Sequence, residues 1–404
     1  MIRKSITLIA LLSLLGICRM PLIAQDKSAD DMQKELQALN TLRSEESINK
    51  KLKEIADDKK YAKALVKAGA ALLPKKEDNT FTYSSAHILG MAALEVRENK
   101  TAIEFLLIAI DKANKVKSVR KLSNNRVYLM EAYLADNRPA EAEKIARKII
   151  ATQINADDEE DLNVLATTRF YAELDLVRAV MQQGKFEDAQ KLMDNLQKKA
   201  DADAFTGPAK NLIYGTKAQF LTYKGDLGDA IKVYERMIED SDNDERKDRY
   251  REVIGNLYAD SGNVDKAYDI LSEILKKKPD QAGLNNDLGY ILASHDRKLD
   301  EAEKMIKKAV EAEPENPSFL DSMAWVLFKQ KKYKEAKEYM LKAITHERGR
   351  NTELMEHLGD IQMALNEKDE AKKSYEAALA AVTFNYKDQA RKPEVEKKLK
   401  ELTK

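Results

Sequence analysis

An alanine recurs behind a short charged turn along this chain, at Ala102, Ala142, Ala189, Ala230, Ala267, Ala302, Ala336 and Ala371. Successive separations are 40, 47, 41, 37, 35, 34 and 35 residues, so the spacing tightens to a constant period toward the C-terminus. A period of that length gives each repeat room for one small supersecondary unit. Such a unit cannot bury its apolar face alone, so neighbours must stack on one another. Glycine (14) and proline (8) are sparse in 404 residues, which disfavours turn-rich sandwiches and nucleotide-binding α/β folds. Alanine, lysine, glutamate and leucine, the strong helix formers, dominate instead. The repeating unit is therefore expected to be a pair of antiparallel helices.

The residues between the anchors are also periodic. The Ala267 unit reads Ile254-Gly255, Tyr258, Gly262, Ala267, Leu271 and Pro279. The Ala302 unit reads Leu288-Gly289, Ala302, Ile306, Ala309 and Pro314. The Ala336 unit has Met323-Ala324, Leu327, Met340 and Ala343, and the Ala371 unit Leu358-Gly359, Tyr375 and Ala378. Small residues at these places let one helix approach the other, and larger ones fill the space between repeats. Upstream, the Ala230 unit keeps Ala218, Leu221, Gly225 and Tyr234, and the Ala189 unit Leu176, Gly184 and Leu196. The Ala142 unit keeps Met130, Leu134 and Ile149 without a turn glycine, and the Ala102 unit Leu89-Gly90, Leu106 and Ala109.

Over roughly residues 80–384 the chain resembles the tetratricopeptide-repeat family, exported bacterial type. The resemblance implies an all-α, right-handed superhelical solenoid of stacked antiparallel helix pairs, with about 7–8 repeats plus caps. The expected organisation is a signal peptide (1–24), an N-terminal helical cap or degenerate repeat (25–80), divergent helix pairs (81–242), well-matched repeats (243–384) and a C-terminal capping helix (385–404).

Both ends carry their own signals. Arg3 and Lys4 precede an apolar run, Ile6 to Ile17, and Leu22-Ile23-Ala24 then offers a cleavage site after Ala24, the plan of a secretory signal peptide. The run is short of the ~20 residues that a membrane-spanning helix needs. A rival reading is a lipoprotein acylated at Cys18, although Ile17 before it departs from that pattern. With cleavage after Ala24 no cysteine remains, so disulfide, thiolate and cysteine-metal chemistry are all excluded. Met32, Leu36 and Leu39, then Ile48, Leu52 and Ile55, fall at helical spacing in the N-terminal cap. Pro393 is expected in the first turn of a final helix that carries Val395, Leu399 and Leu402.

Sequence patterns for catalysis are weak. His87, His295, His346 and His357 form no metal-ligand spacing and are read as surface or packing residues. Asp240, Asp242 and Asp244 alternate like a calcium loop, but Glu245 stands at its glycine position and Arg251 at its closing glutamate. No phosphate-cradling loop or nucleophile elbow is found. Bases (69) equal acids (69) and the two interleave, with Lys276-Lys277-Lys278 and Lys331-Lys332 at helix ends, so no nucleic-acid footprint is expected. The expectation is a non-enzymatic protein with no cofactor and no metal.

The resemblance places partner binding on the inner groove, lined by the first helix of each pair. Asp321, Trp325 and Phe328 share one such face, Asn286 and Tyr290 take matching places on the preceding repeat, and Asn256 and Asp360 do so on the flanking ones. Aromatics with amides and acids suit peptide capture. The lysines with which the family clamps a C-terminal carboxylate are replaced by Glu252, Asn286, Asp321 and Glu356, so acidic tails are not the expected ligand. The expected role is a protein-interaction scaffold or adaptor of the bacterial cell envelope, periplasmic or secreted, that holds a peptide or partner protein. Two alternatives are a glycan or cell-wall binding module using Tyr290 and Trp325, and an accessory substrate-recruiting subunit of an envelope enzyme. The opposing reading of Trp325 and Phe328 is core packing between neighbouring helices.

Overall fold

A computed structural model describes residues 29–75, 80–152, 159–202, 207–345 and 350–402. The expected signal segment, Cys18 and His346 lie outside them. Among the described residues there are twenty α-helices and no strand. Two compact units divide the chain, Met1–Leu196 and Gln197–Lys404.

The first unit opens with α1 (Ala29–Leu39), α2 (Glu45–Asp57) and α3 (Lys59–Ala70). Their buried residues include Met32, Leu36, Leu39, Ile48 and Ile55, the stripe expected of amphipathic helices. Paired helices follow: α4 (Tyr83–Glu95) with α5 (Asn99–Lys115), α6 (Val119–Ala135) with α7 (Pro139–Ala151), and α8 (Glu159–Gln182) leading into α9 (Phe186–Asp201).

The second unit continues the scheme. It holds α10 (Gly207–Lys224) and α11 (Leu227–Glu239), α12 (Asp244–Asp260) and α13 (Val264–Lys277), and α14 (Ala282–Ser294) and α15 (Leu299–Ala312). After these come α16 (Pro317–Lys329) and α17 (Tyr333–Ala343), α18 (Thr352–Ala364) and α19 (Lys368–Ala380), and a last helix, α20 (Tyr386–Leu402).

All eight anchor alanines have no exposed surface, which is why nothing larger recurs there. Twelve residues before the last anchor, Gly359 lets α18 close onto α19, since a β-carbon built on it would sit 2.3 Å from Tyr375 Cε1. Five residues before the anchor, the chain turns through the left-handed region. Arg97, Asn137, Gly184, Gly225, Gly262, Lys331 and Asn366 all have φ between 55° and 96° there. In the Ala302 unit the longer turn uses two such residues instead, Asp296 and Lys298. A left-handed residue is how a helix stops and reverses within a few residues. Only three of these positions are glycine, which is why the Ala142 unit forms its turn without one.

The last helix departs from expectation. It starts at Tyr386, so Pro393 lies inside it and not in its first turn. The start is set by Asn385, whose Oδ1 accepts from the Asp388 amide at 3.0 Å, while Asp388 Oδ2 accepts from Thr383 N at 2.9 Å. The first of these bonds satisfies an amide that a helix start leaves without a partner, and the second ties the preceding turn to the first turn of the helix.

Candidate functional site

The candidate site is in the second unit, on the first helices of successive pairs. Three of them are started by a local signal: Asn243 caps α12, Asn316 with Pro317 starts α16, and Asn351 caps α18, whereas Gln281 before α14 makes no side-chain cap. These caps fix where each helix begins, and the apolar stripe that packs against its neighbours fixes which residues are left on the other face.

On α12 and α14, Asn256 Nδ2 donates to Asp287 Oδ2 at 2.8 Å, and Asn286 Nδ2 approaches Asp287 Oδ1 at 3.4 Å. Burial pushes the Asp287 carboxyl up, against the opposing pull of the Asn256 bond. Glu252, also raised by burial and by the charge of Asp287, accepts from Gln281 Nε2 at 3.1 Å. Tyr290 donates its hydroxyl to Glu353 of α18. Burial and the neighbouring carboxylates hold that phenol well above its usual range.

Between α16 and α18 lies a buried pair. His357 Nδ1 donates to Asp321 Oδ1 at 2.8 Å, and Trp325 stacks on the His357 ring at 3.9 Å between centroids and on Phe328 at 5.0 Å. Burial disfavours the imidazolium, but the charge and hydrogen bond of Asp321 outweigh it and lift His357 above its ordinary value. Trp325 Nε1 and Asn286 Oδ1 are buried without a hydrogen-bond partner among the described residues.

The cations come from α20. Lys387 Nζ reaches Asp260 Oδ1 at 2.9 Å, and the Tyr386 hydroxyl donates to Asp260 Oδ2 at 2.6 Å. Arg391 bridges Glu353 and Glu356. Lys398 joins Glu356 and Asp360, each at 2.8 Å. Burial opposes the charge on Glu353, yet Arg391 and then His357 overcome it and hold the carboxylate below its usual range; Lys398 does most to do the same for Glu356. Beneath the N-terminal half of α20 is a cavity of about 610 Å³, lined by α12, α14 and α18 as well as by α20 itself.

The seven residues expected to bind a partner thus fall into three groups. Asn256 and Tyr290 line the cavity. Asn286, Asp321, Trp325 and Phe328 do not line it; Asn286 and Asp321 are buried, and Trp325 and Phe328 are half-buried. Asp360 accepts from the Tyr375 hydroxyl at 2.8 Å and is covered by Lys398. Sequence reasoning missed Glu353, His357, Asp287 and Arg391. The only signal for them was the three- and four-residue spacing of Glu353, Glu356 and Asp360, matched by Lys387, Arg391 and Lys398.

The first unit has an aromatic counterpart. Tyr83 and His87 stack at 5.6 Å, His87 Nδ1 lies 3.0 Å from Asn125 Oδ1, and Asn125 Nδ2 donates to the Tyr83 hydroxyl at 3.2 Å. Burial lowers His87, so it is held neutral as a packing residue. Asp175, paired with Arg178 at 3.1 Å, is pushed up by burial to about 6. Among the described residues no group of acids, histidines or cysteines is arranged to hold a metal ion, and no helix is long and apolar enough to cross a membrane.

Two models of the tetratricopeptide repeat match the chain, one over residues 174–245 and 252–317 and the other over 318–346 and 352–381. No curated protein matches it. Among solved structures, a tetratricopeptide repeat protein from Parabacteroides merdae is 15% identical, with 70% of this chain and 99% of that one covered and a TM-score of 0.49. Yeast Tom70 is 15% identical over 87% of this chain and 77% of its own, at a TM-score of 0.41. MamA from Desulfovibrio magneticus is 16% identical over 42% and 93%, at 0.33.

Proposed function

We propose that this chain, which belongs to the tetratricopeptide-repeat family, is a non-enzymatic scaffold of the bacterial cell envelope that holds a protein segment against the inner face of its second unit. One observation carries the reading. The inner face from α12 to α18 combines half-buried aromatics with amides and carboxylates around a cavity of about 610 Å³. That surface offers apolar area together with acceptors for a bound backbone and its side chains. Export rests on Arg3, Lys4, the Ile6 to Ile17 run and the Leu22-Ile23-Ala24 site.

Photo-crosslinking in the source cell tests the binding surface. A crosslinking amino acid at Asn256 or Tyr290 should capture one protein in stoichiometric yield. The same group at Lys304 on α15 should not. Equal capture from both faces, or none from the inner one, would refute the scaffold reading. N-terminal sequencing of the mature protein tests export. A first residue of Gln25 is expected, and a retained Met1 or an acylated Cys18 would overturn the cleavage site.

A further inference from the structure

The lysine and arginine around the cavity have a single origin, and all but one of its acids another, the exception being Glu394 of α20. Asp260, Asp287, Glu353 and Glu356 come from the repeats, whereas every lining lysine and arginine, Lys387 and Arg391, comes from α20. Without α20 the inner face there would be a run of carboxylates with no lysine or arginine among its lining residues.

The two halves of α20 are held by different forces. The C-terminal half is anchored by apolar packing: Val395 is wholly buried against Ala371, Tyr375 and Ala378, and Leu399 and Leu402 pack alongside. The N-terminal half is held mainly by ionic and hydrogen bonds, Tyr386 and Lys387 to Asp260 and Arg391 to Glu353 and Glu356. Tyr386 also packs closely against the turn at Gly225, where an added β-carbon would lie 3.0 Å from Tyr386 Cβ. The cavity is lined on one side by this half, at Tyr386, Lys387, Ala390 and Arg391. Pro393 separates the halves. Having no N–H, it omits one bond of the helical ladder, so the helix is weakest where the holding force changes. Polar contacts of this kind trade readily for equivalent ones and are screened by salt, whereas apolar packing is not.

We propose that the N-terminal half of α20 is a built-in occupant of the inner face, displaced by a partner that presents a basic helical segment of its own. This assignment rests on the scaffold reading and names the chemistry of its ligand. Lys387, Arg391 and Lys398 are four and seven residues apart, which places them on one side of the helix. A partner helix with lysine or arginine at the spacing of Lys387 and Arg391 meets the carboxylates that the displaced half releases, at Asp260, Glu353 and Glu356. An acidic segment would be repelled by them. A field of one sign in a concave face also speeds the approach of the opposite charge.

The probe is a fluorescein-labelled peptide of residues 383–402, titrated into the full chain and followed by anisotropy. Three forms are compared: the unmodified chain, Lys387→Glu with Arg391→Glu, and a bridged form. In the last, Asp260→Cys and Lys387→Cys in a Cys18→Ser background are joined by a short bismaleimide. Circular dichroism confirms that each is folded. Release of the N-terminal half should tighten peptide binding by roughly tenfold or more, because the competing state is removed. The bridged chain should bind none. A peptide with glutamate in place of Lys387, Arg391 and Lys398 should not bind to any form.

Equal affinity for all three forms would overturn the proposal, as would binding of the acidic peptide to the released chain. Release that doubles the mass in light scattering, with no gain in peptide affinity, would assign the face to a second copy of this chain and also overturn it. None of these failures would touch the crosslinking result from Asn256 and Tyr290, so the scaffold reading stands or falls separately.

Discussion

His357 on α18 donates a 2.8 Å hydrogen bond to Asp321 on α16, and both side chains are almost wholly buried. The pair joins the first helices of two successive repeats across their interface. It is also the centre of a larger group: Trp325 covers the imidazole, while Glu353, Arg391 and Tyr290 lie next in line. A buried ion pair contributes less to net stability than to fixing one arrangement, but removing one partner leaves a charge that water cannot reach. The register of α16 against α18 therefore depends on two residues that are 36 positions apart.

His357→Gln should accordingly destabilise the second unit by about 3–5 kcal/mol, the range for breaking a buried pair from one side. His357→Gln combined with Asp321→Asn should recover part of that loss, with a coupling of about 1–3 kcal/mol. Urea titrations followed by Trp325 emission read the unfolding of this region directly. If the double variant is no more stable than His357→Gln alone, the pair is not the source of the effect.

Glycines on the helices divide by what surrounds them. At Gly359 a methyl group would fall 2.3 Å from Tyr375 Cε1, and at Gly215, within α10, the nearest atom is Met237 Cε at 3.9 Å. Gly359→Ala should cost about 1–3 kcal/mol by overpacking. Gly215→Ala should add about 0.5–1 kcal/mol, since it removes backbone freedom from the unfolded chain at no steric cost. Thermal melts of the two variants should move in opposite directions, and a shift of the same sign in both would contradict the packing described here.

The repeat was legible because its cause is local: an alanine with no exposed surface admits no substitute, so it recurs at every helix pair. The turn was legible only in part. A sequence displays glycine at 184, 225 and 262, but Arg97, Asn137, Lys331 and Asn366 adopt the same backbone and look like ordinary surface residues. The candidate site was half legible for a similar reason. Asn256 and Tyr290 follow from the period, since equivalent places on successive repeats face the same way. Arg391 does not, because α20 follows the last repeat and no periodicity fixes where it lies. Its position depends on tertiary contacts, with Asp260 and Glu353, that are 126 residues from Tyr386 and 38 from Arg391.

The left-handed turns give a prediction of their own. Lys331 has φ 64° and Gly262 φ 84°, and they occupy the same place in their repeats. A left-handed L-residue costs about 1–2 kcal/mol that glycine avoids. Gly262→Ala should therefore lower stability, whereas Lys331→Gly should raise it, less the larger entropy that glycine gains in the unfolded chain. Chemical denaturation of the two variants checks the sign of each. If Gly262→Ala proves neutral, the left-handed turn is not required there.

The state of His357 should be visible in the fluorescence of its neighbour. Trp325 is the only tryptophan in the chain, and its ring lies 3.9 Å from the imidazole at an interplanar angle of 13°. A protonated imidazole in contact with indole quenches its emission, and a neutral one does so far less. Asp321 raises His357 above its ordinary 6.5, so the ring stays protonated through that value and loses its proton only at higher pH. Emission should therefore rise along a titration whose midpoint lies above 6.5. Stability should fall over the same interval: the contribution of a raised histidine is complete below the unfolded value and is lost as pH climbs through the folded one. Lys329, whose ammonium lies 5.5 Å from the Trp325 ring, is common to the unmodified protein and the His357→Gln variant, so the comparison of the two isolates the imidazole. His357→Gln should abolish the step in emission and flatten that part of the stability profile. A midpoint below 6.5 in the unmodified protein would mean that burial, and not Asp321, governs the imidazole. The same step surviving in His357→Gln would mean that another group quenches Trp325.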